Sequence, residues 1–172
     1  MEDRTERPVR VPAQFESYYR AEYAAVVALI GVLTGNRWVA EDLAQEAFLR
    51  AHRDWDQVGR MDSPEGWVRR VAMNLSHSRF RRLRSEAAVR LRLGTGRPTF
   101  QTLEPQDDAF WDEVRRLPQR QAQAVALRYL EDLPVADVAV IMATAEGTVR
   151  ALLHQGRQRL ERQLIAKGLV EP

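Results

Sequence analysis

Apolar residues recur at every third or fourth position along most of this chain, and this pattern restricts the fold more than any other feature. Between residues 13 and 33 it runs through Phe15, Tyr19, Tyr23, Val26 and Ile30. This spacing places side chains on one face of a helix, whereas a half-buried strand needs strict alternation. No Asn-Gly or Asp-Gly turn separates alternating apolar runs. The sequence therefore predicts an all-α fold.

Three helices are predicted in the first half of the chain. After the helix at 13–33, a second helix spans 37–55, and residues 56–62 form a loop. Ser63-Pro64-Glu65 then combines a capping hydroxyl, a proline at the first helical position and an acid in the first turn. These three features together mark a helix start. The third helix becomes basic toward Arg84.

A stretch rich in glycine, proline and threonine divides the chain. Gly94, Gly96, Pro98 and Pro105 interrupt any helix and are typical of a linker. We therefore predict two small helical domains joined by a flexible linker. Their boundaries are an N-terminal extension at 1–12, a first domain at 13–84, the linker at 85–106 and a second domain at 107–168.

The second domain carries the pattern of a helix-turn-helix. Pro134 precedes a short helix at 135–142, and residues 143–146 lead into a long helix. The long helix has one apolar face made of Val149, Leu152, Leu153, Gly156 and Leu160. In a helix-turn-helix the second helix enters the DNA major groove. Arg150, His154 and Gln155 are expected to face outward from it.

Charge alternates along the chain in four blocks whose net charges are −4, +8, −5 and +3. The second block, residues 69–97, holds nine arginines against Glu86 alone, although the whole chain carries only +2. Basic blocks attract polyanions, which favours nucleic-acid binding. Solvated helix faces are the alternative explanation of the same charges.

Several functional classes are disfavoured by what the sequence lacks. There is no cysteine, and the first twelve residues have no apolar core of the kind a signal peptide needs. The longest apolar run, Tyr23 to Leu33, is shorter than the roughly 20 residues of a membrane span. His52, His77 and His154 are far apart, and no partnered nucleophile is visible. We expect a cytoplasmic protein without membrane insertion, metal, cofactor or catalytic residues.

Two segments in the first half resemble a known family in the family's order. Residues 40–51, Ala-Glu-Asp-Leu-Ala-Gln-Glu-Ala-Phe-Leu-Arg-Ala, resemble the helix of bacterial sigma factors that binds core RNA polymerase. Residues 64–74, Pro-Glu-Gly-Trp-Val-Arg-Arg-Val-Ala-Met-Asn, resemble the region-two helix that melts and reads the minus-ten element of a promoter.

The second half resembles region four of the same family, which reads the minus-thirty-five element. The matching residues are Leu117-Pro118, Leu127-Arg128-Tyr129, Leu133-Pro134, Asp137-Val138-Ala139 and Gly147-Thr148-Val149-Arg150. With these two regions and a short linker, the chain resembles an extracytoplasmic-function (ECF) sigma factor.

The resemblance implies a function, partners and site residues. The chain would bind core RNA polymerase and direct promoter recognition and melting, with promoter DNA as its second partner and an anti-sigma factor as a further candidate. The residues implied for polymerase binding are Asp42, Gln45, Glu46 and Leu49. Those implied for DNA binding are Asn74, Ser78, Arg79, Arg81 and Arg82 in region two, and Thr148, Arg150, Ala151, His154 and Gln155 in region four. Arg69 and Arg70 are further candidates for phosphate contacts, and Trp67 is expected in the core.

The long helix of the helix-turn-helix and the segment leading into it depart from the family pattern at four positions. Ala145 stands where a serine is usual, Ala143 where a turn glycine is common, and Leu152 and Gln155 where arginines are frequent. An arginine that pairs with guanine contributes about 1–3 kcal/mol of base discrimination, so these changes bear on the upstream element.

Two other functions fit parts of the sequence. A helix-turn-helix regulator would bind duplex DNA without polymerase, but the acidic second helix argues against it. A helical adaptor that binds only proteins would leave the basic segments without salt-sensitive attraction to DNA.

Overall fold

Eight helices make up residues 13–92 and 109–171, the parts of the chain that the structure, a computed structural model, describes. The first four are α1 Ala13–Thr34, α2 Arg37–Arg53, α3 Trp55–Val58 and α4 Pro64–Arg92. The second four are α5 Ala109–Arg116, α6 Gln119–Tyr129, α7 Val135–Ile141 and α8 Glu146–Ala166. Neither described range contains a strand, and the all-α prediction is confirmed.

Helices α1, α2 and α4 form the first module, and they pack around Phe48 of α2. Its ring lies edge-on to Tyr19, with the ring centroids 5.1 Å apart, and it is 2% exposed. Leu29, Ile30 and Val68 complete the apolar centre. This core is built from the 3.6-residue periodicity that the sequence shows.

Two helix starts in this module are capped as the residue types predict. The Asn36 side chain accepts a hydrogen bond from the Val39 backbone N–H at 3.0 Å, and Ser63 Oγ accepts one from the Gly66 N–H at 3.1 Å. Each cap satisfies a backbone donor that the first helical turn would otherwise leave open.

The predicted loop at 56–62 is partly wrong, because residues 55–58 form α3. Trp55 packs against Phe15 with the ring centroids 5.2 Å apart, and Val58 is 1% exposed. These two residues are three apart, so one helical turn brings both onto the core while Asp56 and Gln57 stay exposed. The predicted second helix accordingly ends at Arg53 rather than at 55.

Helix α4 extends beyond residue 84, where we predict the first domain to end. It continues to Arg92, so the first eight residues of the predicted linker are helical. The reason is local, since no glycine or proline occurs between Gly66 and Gly94. Residues 93–106 of the predicted linker lie outside the described residues, as does the extension at 1–12.

The second module packs α5, α7 and α8 around α6, whose residues 121–127 are all buried. Gly156 lets α8 approach α6 closely, because a Cβ added there would lie 3.2 Å from Val125 Cγ2. Helices α7 and α8 are joined by a tight turn at 142–145. This arrangement is the predicted helix-turn-helix.

The two modules contact each other directly. Helix α1 packs against α5 and α6, and α4 packs against α7. The approach is close at Gly66, where an added Cβ would lie 3.2 Å from Ile141 Cγ1. The described parts of the two modules therefore form one packed body.

Candidate functional site

The exposed face of α2 holds all four residues that the sequence analysis assigns to polymerase binding. Asp42, Gln45, Glu46 and Leu49 are exposed, while the residues between them turn into the core. Leu49 is 64% exposed, so an apolar side chain lies in water among acidic neighbours. Docking faces commonly combine apolar side chains with a polar surround.

Trp38 belongs to the same face, and the sequence analysis missed it. Its side chain is 76% exposed at the start of α2. Positions 38, 42, 45 and 49 differ by three or four residues, so they share one side of the helix. The signal that could have found Trp38 is this register, extended one turn toward the N-terminus.

A contact between Asp42 and Arg79 joins this face to the basic part of α4. The Arg79 guanidinium donates to Asp42 Oδ2 at 3.0 Å, and both side chains are partly exposed. Glu46 is paired along its own helix with Arg50, at 2.8 Å. The acidic face of α2 and the basic end of α4 are therefore adjacent surfaces.

The basic part of α4 presents the region-two residues to solvent. Asn74, Ser78, Arg81 and Arg82 are exposed, and Arg79 is partly so. Phe80, at 37% exposure, adds an aromatic ring to the same segment. Guanidinium groups bind phosphates, and amide and aromatic groups contact opened bases. Trp67 packs against the core as expected.

Arg69 and Arg70 do not join that surface, and the expectation of phosphate contacts from them is wrong for this arrangement. Arg69 is 7% exposed, and its guanidinium donates to Glu131 at 2.6 Å and to Glu22 at 2.7 Å. Arg70 donates to the backbone carbonyls of Ile141, at 2.8 Å, and Val140. Both arginines are occupied by contacts with the second module.

Burial and ion pairing act in opposite directions on the pKa of Arg69 and on that of Glu131. Burial lowers the pKa of Arg69, but the hydrogen bonds and charges of Glu131 and Glu22 outweigh it and raise that pKa above its ordinary value. For Glu131, burial raises the pKa of the carboxyl, and Arg69 opposes the rise only in part. Glu131 Oε1 is also buried without a hydrogen-bond partner.

The outer side of α8 carries the region-four residues. Thr148, Arg150, Ala151, His154 and Gln155 are all exposed, while Val149, Leu153, Gly156 and Leu160 are buried. Leu152 is half-buried and packs against the core.

Two of these side chains have partners within the protein. Arg150 pairs with Glu146 at 2.7 Å in an exposed contact. The Gln155 side-chain carbonyl accepts a hydrogen bond from Gln121 Nε2 at 3.1 Å, which leaves the Gln155 amide donors for a ligand. The face offers a cation and several neutral polar groups, which is the chemistry of base-edge and phosphate contact.

The start of α8 lacks the devices that usually stabilise this turn. Ala145 occupies the N-cap position and makes no side-chain hydrogen bond, and Ala143 adopts a left-handed backbone conformation with φ of 50°. Alanine provides no capping oxygen and tolerates positive φ poorly. Two of the four departures from the family pattern thus coincide with an uncapped helix and a strained turn.

Residues 13–92 and 109–171 contain no group of three His, Cys, Asp or Glu side chains that could hold a metal ion. None of the helices described there is both long and apolar enough to cross a membrane. His52 is half-buried and lies against Phe15 with the ring centroids 4.9 Å apart.

Comparison with known families places both modules in the same one. The model of sigma-70 region 2 matches residues 18–86, and the model of sigma-70 region 4 matches residues 107–160. The chain is 27% identical to the ECF RNA polymerase sigma factor SigW of Bacillus subtilis, over 77% of this chain and 79% of that protein. The chain belongs to the ECF sigma factors. As an RNA polymerase sigma factor, it directs transcription initiation.

Further relatives agree with this assignment. This sigma factor is 27% identical to the RNA polymerase sigma-E factor of Streptomyces coelicolor, over 91% of this chain and 89% of that protein. Its fold matches the sigma factor RpoE of Bartonella quintana, solved in complex with the anti-sigma factor NepR. The TM-score is 0.72 at 22% identity, with 89% of this chain and 98% of that one covered.

Proposed function

We propose that this sigma factor docks on core RNA polymerase through the exposed face of α2. One observation carries the proposal: four side chains of α2 face solvent together, those of Asp42, Gln45, Glu46 and Leu49. The residues between them, at 43, 44, 47 and 48, are buried. An acidic surface around an exposed leucine suits a basic partner surface with an apolar centre.

In the same proposal, α4 melts the promoter DNA at the minus-ten element and reads its bases. Asn74 and Ser78 contact opened bases, while Arg79, Arg81 and Arg82 hold the phosphate backbone. Supporting this division, all five side chains are at least partly exposed on one continuous helix. Amide and hydroxyl groups recognise bases by hydrogen bonding, and arginines contribute sequence-independent attraction.

Helix α8 reads the minus-thirty-five element. Arg150 lies near its start and contacts a phosphate or a guanine edge, and His154 and Gln155 contact bases one turn further on. Thr148 and Ala151 line the same approach. The exposure of all five residues beside a buried opposite face supports this orientation of the helix in the major groove.

The remaining parts of the proposal concern organisation and setting. The first domain comprises 13–84 and the second 107–168, and the linker 85–106 begins as the last turns of α4, which ends at Arg92. The protein acts in the cytoplasm, has no catalytic residue of its own, and depends on polymerase for the chemistry. An anti-sigma factor is a further partner in this proposal, by analogy with RpoE of Bartonella quintana, which was solved with one.

Capture of core polymerase tests the docking face. In Asp42→Arg with Glu46→Arg, two acids become cations and binding should fall by at least tenfold, because the complementary charges now repel. Glu161→Arg with Glu171→Arg makes the same change in net charge on exposed positions of the second module and should bind normally. Circular dichroism verifies that both variants remain helical.

Leu49→Ala distinguishes direct contact with polymerase from long-range electrostatic attraction to it. It removes an exposed apolar side chain and changes no charge, so binding should weaken by about five- to tenfold if Leu49 is buried in the complex. If the double arginine variant and Leu49→Ala both captured polymerase as well as the wild type does, the assignment of the docking face would be contradicted. Tight duplex binding without polymerase would favour a stand-alone regulator instead.

A further inference from the structure

Two glutamines meet where α6 lies against α8. Gln121 of α6 is buried at 6% exposure, whereas Gln155 of α8 is exposed. Gln121 Nε2 donates a hydrogen bond to Gln155 Oε1 at 3.1 Å. A buried side chain is thus bonded directly to a residue that the proposed function places against DNA bases.

The packing of α6 on α8 brings these two side chains together. Gly156 follows Gln155, and a Cβ added to Gly156 would lie 3.6 Å from Gln121 Cβ and 3.2 Å from Val125 Cγ2. The missing side chain at 156 lets the two helices approach closely at this point. Because Gln121 is enclosed by the core and Gln155 is not, Gln121 fixes the position of the pair.

The hydrogen bond decides which end of the Gln155 amide faces outward. A glutamine amide has a carbonyl oxygen that accepts and an NH₂ group that donates twice. The Gln155 oxygen is directed at Gln121, so its NH₂ group is the end left for a ligand. An unrestrained glutamine presents both an acceptor and donors, whereas Gln155 in this arrangement presents donors alone.

Reversal of this orientation is opposed by burial. If Gln155 turned by itself, its NH₂ group would face the NH₂ group of Gln121, donor against donor. If both amides turned, the two N–H donors of Gln121 would need acceptors where its Oε1 now lies, buried and without a hydrogen-bond partner among the described residues. Leaving a buried donor unpaired shifts an equilibrium by about tenfold, so the arrangement with donors outward is favoured.

The outward donors favour a particular base in the major groove. Guanine presents two acceptors there, N7 and O6, whereas adenine presents the acceptor N7 beside the donor N6. A glutamine that pairs with adenine needs its oxygen to accept from N6 while its nitrogen donates to N7. The oxygen of Gln155 is already occupied, but its two N–H groups match the two acceptors of guanine.

We propose that Gln121 is a positioning residue for base recognition: by holding the Gln155 carbonyl, it makes Gln155 select guanine over adenine in the upstream promoter element. This inference rests on the proposed function for the placement of α8 in the major groove. The hydrogen bond that carries it lies within the protein and does not depend on that placement.

Transcription by the holoenzyme from a library randomised in the upstream element tests the inference. At the position whose preference disappears in Gln155→Ala, the wild type should favour guanine over adenine by about tenfold. Gln121→Met keeps an unbranched buried side chain but removes the amide, which frees the Gln155 carbonyl to accept from adenine. The guanine-to-adenine ratio at that position should therefore fall by about fivefold or more.

A matched control and a double variant separate positioning from a general change in α8. Gln123→Met is the same substitution at another buried glutamine of α6, two residues away and thus on a different side of the helix, and it should keep the wild-type ratio. Gln121→Met combined with Gln155→Ala should have the same preference as Gln155→Ala alone, because Gln121 acts through Gln155. A displaced α8 would instead change the preference at other positions as well.

A base analogue tests the predicted contact itself. Replacing the selected guanine by 7-deazaguanine removes the N7 acceptor and keeps O6, so holoenzyme of the wild type should bind about fivefold more weakly. Holoenzyme of Gln155→Ala should bind both promoters equally. If circular dichroism shows that Gln121→Met does not fold, Gln121→Asn gives the same expectation, because its amide is one carbon too short to reach Gln155.

Two results would overturn the role of Gln121 while leaving the proposed function of α8 intact. One is a wild-type preference for adenine at the position that depends on Gln155, and the other is an unchanged guanine-to-adenine ratio in Gln121→Met. If Gln155→Ala left the preference unchanged at every position, the base contact assigned to Gln155 in the proposed function would be wrong, and this inference would be overturned with it.

Discussion

At the scale of single residues, the turn before α8 shows how a departure from a family pattern acquires a physical meaning. Ala143 has φ of 50°, and Ala145 leaves the first turn of α8 without a side-chain cap. A non-glycine residue in the left-handed region costs about 1–2 kcal/mol, and a missing N-cap costs about 1 kcal/mol. The stability of this module is therefore below what its fold allows.

Ala143→Gly and Ala145→Ser should each raise the free energy of unfolding by about 0.5–1 kcal/mol. Glycine removes the Cβ clash at positive φ, partly offset by its greater freedom in the unfolded chain, and serine supplies the missing acceptor. Urea unfolding followed by circular dichroism measures both changes.

The control is Ala21→Gly, at an exposed position inside α1, which should lower the free energy of unfolding by about 1 kcal/mol. If glycine raises the free energy of unfolding at position 143 and lowers it at position 21, the gain at 143 comes from relieved backbone strain. A loss of stability in Ala143→Gly comparable to that in Ala21→Gly would contradict the strained turn.

Residue exposure was largely predictable, because helical periodicity alone separates Asp42, Gln45 and Leu49 from the buried face of α2. The residue with which a given side chain pairs was not predictable. Arg69 and Arg81 are both arginines on the basic helix, yet Arg69 is buried against Glu131 while Arg81 is exposed. The difference is set by a residue 62 positions away, which no local pattern reports.

At the scale of elements, α4 carries two different surfaces along one helix. Its first turns carry Arg69 and Arg70 into the boundary with the second module, and its later turns carry Asn74 and the exposed arginines. The basic block in the sequence is thus divided by structure between an internal contact and a surface. Only the surface part is available to phosphates in this fold.

Salt dependence separates the roles within that surface. Arg81→Ala with Arg82→Ala should lower the magnitude of the slope of log affinity against log salt by about 1–2, because each lost phosphate contact releases about one counterion fewer. Asn74→Ala should reduce promoter opening and leave the slope unchanged, since an amide neutralises no phosphate.

Filter binding of holoenzyme to promoter DNA over a salt series gives the slopes, and permanganate reactivity of unpaired thymines reports opening. The same slope for the wild type, the double arginine variant and Asn74→Ala would contradict this division of roles.

Helix α8 is the second element with a direct test. Arg150→Ala should reduce transcription most. His154→Ala and Gln155→Ala should instead change the preferred upstream sequence, because each lost base contact removes about 1–3 kcal/mol of discrimination between bases. Arg159→Ala, exposed further along α8, is the control and should keep the wild-type preference. Transcription from a library randomised only in the upstream element measures the preference, and identical sequence preferences in all variants would mean that α8 does not read bases.

Element boundaries were predictable where capping residues or breakers mark them. Ser63 caps a helix at the expected place, and Pro118 and Pro134 separate helices as their chemistry requires. The boundary at residue 84 has no breaker, and there the helix runs on to Arg92. Helix α3 was missed because its formation depends on Trp55 meeting Phe15 from another helix.

At the scale of the whole molecule, order along the chain was predictable and packing between modules was not. Two helical regions with a glycine- and proline-rich stretch between them are evident in the sequence. Across the boundary Arg69 pairs with Glu131 and Arg70 binds the end of α7, yet both arginines resemble part of a nucleic-acid patch when only composition is considered. The same residue type serves both purposes, and only its partners distinguish them.

Run-off transcription on a genomic promoter library, with purified core polymerase and the wild-type chain, tests the central claim most directly. The account predicts transcripts from defined start sites only when both proteins are present, and their loss with Asp42→Arg and Glu46→Arg. Duplex DNA binding without any transcript that depends on the added chain would contradict it.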